Sequence, residues 1–170
     1  AFGRTRDGRE AQRGGWGWMV GDEGSAVWIT REAARLVMAR TDAGDEVGAL
    51  GGALLEACRA TDPRQLLARL HAMHEPMQWA GFASVVFDTA DGDAGSRDIV
   101  DRAAQELVRL VHDLRDTLKI DGPVVLAGGL MLNQPELESA VRQRLGAACM
   151  RLEEPPVEGA VRLAEALLVR

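Results

Sequence analysis

The sharpest periodicity in the chain lies in SRDIVDRAAQELVRLVHDLRDTL. There Ala104, Leu107, Val111, Leu114 and Leu118 recur every three or four residues, and Arg102, Glu106, Arg109, Asp113 and Asp116 are left for solvent. That spacing predicts one long amphipathic helix. Four stretches upstream also have helical spacing: AVWITREAARLVMAR, DEVGALGGALLEACRA, PRQLLARLHAM and WAGFASVVFDTA. The boundaries fall at TDAGD, ATDP and DGDAGS, where Asp meets Gly or Pro as caps and turns prefer. After Asp121-Gly122 the period changes. PVVLAGG is a short apolar run that fits a buried strand, PELESAVRQRL a helix, ACMRLEE a second strand and EGAVRLAEALLVR a closing helix, which together predict a β-α-β-α ending. At the other end, AFGR and EAQR flank RDGRE, whose Asp7-Gly8 pair suits positive φ. These residues read as a β-hairpin whose sheet would continue upstream. The class is α/β, in three stretches: hairpin and glycine-rich loop over 1–24, helices over 25–120, and β-α-β-α over 121–170.

Composition narrows the function. The chain has 170 residues, 46% of them hydrophobic, which is enough for one core or for one lobe of a larger molecule. No apolar run approaches the ~18 residues that a membrane helix needs, and no apolar segment follows the charges of AFGRTRDGREAQR, so neither a membrane span nor a signal peptide is expected. The expected location is the cytoplasm. A net charge of −6 with Lys nearly absent argues against nucleic acid as a partner, because phosphate contacts need clustered cations. Cys58 and Cys149 lie far apart without CxxC spacing and suit buried reduced thiols.

Candidate chemistry gathers in GGWGWMVGDEGSAVW. This stretch holds three of the four tryptophans, five glycines, and the adjacent carboxylates Asp22 and Glu23. Trp16 and Trp18 in such a loop can stack on a sugar ring or another flat apolar face. Asp22 is an acceptor for hydroxyls, and the helix beginning near Ser25 offers free amides. Equally, the tryptophans can anchor the loop on the core, with Asp22 capping that helix. In VLAGGLMLN, two glycines stand where a strand meets a loop before a helix, either as turn punctuation or to let a ligand approach the backbone. His71 and His74 are spaced as helix-borne metal ligands, but no third ligand stands out and Pro76 soon follows, so no metal site is expected. EEPPVEGA is adequately explained as a stiff lead into the last helix.

GGWGWMVGDEGSAVWITREA resembles the signature segment of N-acetylglucosamine kinases and the related BadF/BadG type ATPases. These belong to the acetate and sugar kinase, heat-shock chaperone and actin superfamily. WAGFASVVFDTADGDAGSRDIVDRAAQEL resembles the family's helical insertion, VVLAGGLMLN its adenosine motif, and PPVEGAVRLAEALL its last helix. The resemblance implies the C-terminal lobe of a ribonuclease-H-like, actin-like ATPase fold with a large helical insertion. The family's DGGGT-like phosphate hairpin and its general-base Asp, which belong to the N-terminal lobe, have no counterpart here. The second phosphate motif, GTGS, would lie immediately before Ala1. A fragment is therefore expected.

Carried over, Gly15, Trp16 and Gly17 match the sugar-contacting loop, and Asp22 matches the acidic residue that binds sugar hydroxyls. Gly81 matches a nucleotide-side glycine, while Gly128, Gly129 and Asn133 fall in the adenosine motif. Trp18 replaces a frequent His or Tyr, and Asn133 a frequent Ser. The implied activity of the complete protein is transfer of the γ-phosphoryl of ATP, with Mg2+, to an amino sugar, N-acetylglucosamine or glucosamine, at the 6-hydroxyl. The implied partners are the sugar, ATP and the chain's own N-terminal lobe, with room for a homodimer. The catalytic base is expected in the absent lobe, leaving this chain inactive by itself. The alternatives are a BadF/BadG type ATPase that couples lobe closure to a partner, or a noncatalytic sugar-binding lobe. The first is disfavoured because Cys58 and Cys149 sit in helix-like and strand-like segments rather than in an exposed loop suited to an iron–sulfur cluster.

Overall fold

The computed structural model describes residues 1–146 and 148–168. Strands β1 (Phe2–Arg4) and β2 (Glu10–Gln12) form the expected hairpin, paired antiparallel with Gly3 opposite Ala11. Gly8 takes φ +90° at the turn, and the Thr5 hydroxyl braces it by accepting from the Arg9 N–H at 2.8 Å. Six helices follow: α1 (Ala26–Ala43), α2 (Gly48–Ala57), α3 (Pro63–His71), α4 (Pro76–Ala80), α5 (Ala83–Asp88) and α6 (Ala94–Leu118). Then come β3 (Val124–Leu126), α7 (Gly129–Asn133), α8 (Pro135–Leu145), β4 (Cys149–Arg151) and α9 (Pro156–Leu168). Strands β3 and β4 are parallel, with Val125 opposite Met150. Val169 and Arg170, the end of the expected closing helix, lie outside the described residues.

Helix α6 is the spine. It packs against α8, α1, α5 and both strands of the hairpin. Its inward residues include Ile99, Val100, Ala103, Ala104 and Val108, which meet a core built from Ile29, Val37, Leu50, Leu54, Leu66, Leu70, Val86, Leu137 and Val141, while Leu114 is buried beneath Gly3 of the hairpin. Leu107 and Val111, expected in the buried stripe, are half-buried and form its margin. Asp93 starts the helix. Its carboxylate accepts from the Gly95 and Ser96 amides, from the Leu50 amide at 3.2 Å, and from both terminal nitrogens of Arg40 at 3.0 Å each. The Arg40 guanidinium, helped by the three amides, holds the Asp93 carboxyl far below the usual carboxylate range despite its burial.

Three expectations are corrected. WAGFASVVFDTA is not one helix: it is divided between α4 and α5 at Gly81-Phe82, because Trp79 is pinned to α1 through its carbonyl, which accepts from the Thr30 hydroxyl at 2.9 Å. Arg102 does not simply face solvent. Its guanidinium lies 5.5 Å from the centroid of Trp28 and bonds Glu32 at 2.9 Å and Asp98 at 2.8 Å, so that it lids the core tryptophan. Finally, no loop separates the Gly128-Gly129 pair from a helix, since α7 begins at Gly129 itself.

Candidate functional site

Residues 13–25 form a loop pinned to α6 near both ends. Gly24, at φ +77°, packs so closely that a Cβ there would stand 2.7 Å from Leu107 Cγ and 2.8 Å from the Ala103 carbonyl oxygen. Only glycine allows both that backbone and that approach. Near the other end Gly14 lies against Leu110. Between these anchors the chain coils on itself, with the Gly17 carbonyl accepting from the Gly21 N–H at 2.8 Å. Trp16 projects from this coil with 79% of its surface exposed, and Gly15 and Gly17 are exposed beside it.

The two tryptophans part company. Trp18 is half-buried, with its ring centroid 6.5 Å from that of Trp79 on α4, and its carbonyl accepts from Arg31 Nη1 at 2.8 Å. Trp18 therefore anchors the loop, leaving Trp16 as the free face. Asp22 is a non-glycine residue in the left-handed region, at φ +56°. Its backbone carbonyl accepts from the Ser25 N–H at 3.0 Å, and its half-buried carboxylate has no hydrogen-bond partner among the described residues. The cap of α1 is Ser25, whose hydroxyl accepts from the Trp28 N–H at 3.2 Å. The capping role weighed for Asp22 thus belongs to another residue.

Gly81 terminates α4 at φ −61°, two residues beyond the Trp79 that contacts Trp18. A Cβ at Gly81 would meet nothing closer than 3.5 Å, so neither backbone angle nor crowding within the chain requires glycine there. At the end of β3, Gly128 adopts φ +98° and ψ 145°, a region essentially restricted to glycine. Gly128 and Gly129 are both exposed, and open space surrounds Gly128. The Asn133 side-chain amide donates back to the Gly129 carbonyl at 2.8 Å, closing the turn of α7 over the glycines. The structure thus brings Gly15, Trp16, Gly17 and Asp22 together in one loop, with Gly81 nearby through the Trp18–Trp79 contact. Gly128, Gly129 and Asn133 form a separate corner on β3 and α7. Sequence reasoning missed Arg31 and Thr30 as the residues that hold this loop and α4. A polar residue on the α1 face turned toward the loop was the available signal.

The bare, open Gly128-Gly129 backbone is a surface that a flat ligand could approach closely. No group of three or more His, Cys, Asp or Glu side chains converges among the described residues, so these residues do not by themselves compose a magnesium site. His71 ends α3 and His74 lies beyond it, both exposed. Cys58 is buried, and that burial pushes its thiol pKa up, away from reactivity. No described helix is long and apolar enough to cross a membrane.

Together, a parallel β-α-β corner with an open diglycine turn and an α-helical body carrying an exposed tryptophan loop make up an α/β fold. The sequence pattern of the BadF/BadG/BcrA/BcrD ATPase family matches residues 2–164, and the chain belongs to that family. It is 28% identical over 137 residues to an N-acetylmuramic acid/N-acetylglucosamine kinase of Clostridium acetobutylicum, covering 78% of this chain and 45% of that protein. It is also similar to the crystal structure of a provisionally assigned N-acetylglucosamine kinase from Chromobacterium violaceum. That likeness has a TM-score of 0.78 and 26% identity, covering 95% of this chain and 54% of the other. The chain thus spans about half the length of the relatives it matches.

Proposed function

We propose that this chain is the sugar-orienting and adenosine-contacting lobe of an ATP-dependent amino sugar kinase acting on N-acetylglucosamine or glucosamine. The observation that carries the proposal is the pairing, in one anchored loop, of an exposed Trp16 face with an Asp22 carboxylate that no described residue engages. A sugar presents the same two features, an apolar ring face and adjacent hydroxyls. An acceptor-only carboxylate can fix two neighbouring hydroxyls and reject analogues that lack one. The Gly128-Gly129 backbone would lie against the adenosine, with Asn133 beside it bracing the turn. Gly81 would face the nucleotide side.

ATP supplies the transferred γ-phosphoryl, and Mg2+ would neutralise charge on the phosphates; phosphoryl transfer depends mainly on such positioning and neutralisation. The residues of this chain orient the acceptor. The general base, the phosphate hairpin and the magnesium ligands would come from the other lobe, closing over a sugar whose 6-hydroxyl points toward the cleft. A coupling ATPase of the BadF/BadG kind is the weaker reading, because Cys58 is buried in the core and unsuited to an interlobe cluster.

Calorimetric titration of glucosamine and N-acetylglucosamine into the 170-residue chain, with Trp16→Ala as control, tests the reading. Binding lost in Trp16→Ala is the expected result. If neither sugar binds the chain, and the polypeptide carrying both lobes phosphorylates neither, the assignment fails.

A further inference from the structure

From Gly15 to Glu23 the glycine-rich loop receives, among the described residues, one hydrogen bond from outside itself: Arg31 Nη1, in the second turn of α1, donates to the Trp18 carbonyl at 2.8 Å. That carbonyl belongs to the middle of a turn. The Gly17 carbonyl closes the turn by accepting from the Val20 N–H at 3.3 Å and the Gly21 N–H at 2.8 Å. Its two ends touch, since a Cβ at Gly21 would stand 3.0 Å from Trp16 Cβ. Trp16 therefore enters the turn and Asp22 leaves it at nearly the same place, and the shape of the turn sets the spacing between them.

Turns of this kind occur in two forms that differ by a flip of the middle peptide, and the flipped form needs positive φ at the residue after that peptide. Neither Trp18 nor Met19 has positive φ. The unflipped form is present, and Arg31 holds its carbonyl. The preceding residue of α1 works in parallel: the buried Thr30 hydroxyl donates to the Trp79 carbonyl at 2.9 Å, and the Trp79 ring meets that of Trp18. Two consecutive residues thus fix the turn from its backbone and from its ring.

Arg31 brings more than this contact needs. Arg40 and Arg102 are matched to carboxylates, whereas Arg31 is half-buried and forms no ion pair with any described residue. Its Nε is buried without a partner. An unpaired buried donor costs stability, and native proteins keep such groups where function uses them. What the guanidinium supplies is a charge-assisted bond, which resists a peptide flip more strongly than a neutral donor would.

We infer that Arg31 is a positioning residue for sugar recognition: acting through the loop, its guanidinium locks the Trp18–Met19 peptide and so holds the Trp16 face and the Asp22 carboxylate at the spacing a sugar requires. The inference rests on the reading of this loop as the seat of the sugar.

The test compares Arg31→Met, which keeps the apolar stem and removes every donor, with Arg31→Lys, which restores one, both in the polypeptide carrying both lobes. In Arg31→Met the KM for N-acetylglucosamine and glucosamine should rise on the order of ten-fold, the loss of one hydrogen bond from a charged group. The kcat, the KM for ATP and the Tm should be unchanged, because no ion pair is broken and no core residue is altered. Arg31→Lys should recover most of the sugar affinity. In the ligand-free protein the Met19 amide, which shares its peptide with the Trp18 carbonyl, should show microsecond-to-millisecond exchange by relaxation dispersion in Arg31→Met and none in wild type. A wild-type sugar KM in Arg31→Met overturns the inference. So does an equal rise in the KM for ATP with a lowered Tm, or loss of folding, either of which makes Arg31 a structural residue. A wild-type polypeptide that phosphorylates neither sugar overturns the sugar kinase reading instead, and a Met19 amide without exchange in Arg31→Met then removes the role of Arg31 in the turn as well.

Discussion

The ring of Trp18 stands 6.5 Å from that of Trp79, tilted by 38°, and this one contact fastens the glycine-rich loop to the short helix α4. Aromatic pairs of this geometry contribute about 0.5–1.5 kcal/mol beyond the area they bury. A double-mutant cycle of Trp18→Ala and Trp79→Ala, read by denaturant unfolding, should return a coupling energy in that range. A value of zero would show that the rings merely neighbour each other.

Asp22→Asn separates sugar binding from structure. Ser25 caps α1, and Asn adopts the left-handed backbone at least as readily as Asp, so stability should change by less than about 0.5 kcal/mol. Hydrogen bonds to charged groups contribute roughly 1.5–3 kcal/mol, so in the two-lobed protein the sugar's kcat/KM should fall on the order of ten- to a few hundred-fold with ATP affinity unchanged. Normal sugar kinetics would remove Asp22 from the site. Ser25→Ala should show the converse, about 1 kcal/mol of lost stability with kinetics intact.

Gly129→Leu probes the adenosine corner. Gly129 lies in helix α7, and a Cβ there would meet only the Asn133 amide at 3.9 Å, so the fold should accept the side chain. ATP affinity of the two-lobed protein should weaken more than sugar affinity. Unchanged ATP affinity by calorimetry would place the nucleotide elsewhere.

The Asp93–Arg40 pair predicts an acid limit. The side chain of Asp93 is 4% exposed, and removing one partner of a buried pair strands the other, so Asp93→Ala should cost about 3–5 kcal/mol. Because the folded-state pKa is depressed, the contribution is fully present above the unfolded carboxylate value near 4. It is lost as pH falls from there toward the folded value. Unfolding free energies of wild type and Asp93→Ala should therefore converge as pH drops below about 4, while a gap that stayed constant would count against the pair.

Without its partner lobe, the 170-residue chain should show no ATP-dependent phosphorylation of glucosamine or N-acetylglucosamine in a coupled assay. Steady turnover would relocate the base and phosphate cradle into this lobe.

Much was legible in the sequence because it depended on local chemistry. The Asp7-Gly8 turn, the long stripe of α6 and the helix running from Pro135 to Leu145 before Gly146 follow from φ preference, a period of 3.6 and capping, which neighbouring residues settle among themselves. The glycine-rich loop announced itself in the same way. What the sequence could not assign was which of several equivalent side chains would find a partner. Trp16 and Trp18 look alike in the chain, yet only Trp18 meets Trp79, from a helix more than fifty residues on. Asp22 was a suitable cap by type, yet it sits at φ +56° and the hydroxyl that caps α1 is that of Ser25. Arg102 belonged to the polar face of its helix until Trp28 of α1 supplied an aromatic surface to cover. The hydrogen bond that the Asn133 side-chain amide donates to the Gly129 carbonyl at 2.8 Å likewise depends on how the single turn of α7 closes. Period and propensity are summed over neighbours in the chain, whereas these pairings depend on where distant helices stop and cross, which only close packing of the whole core decides.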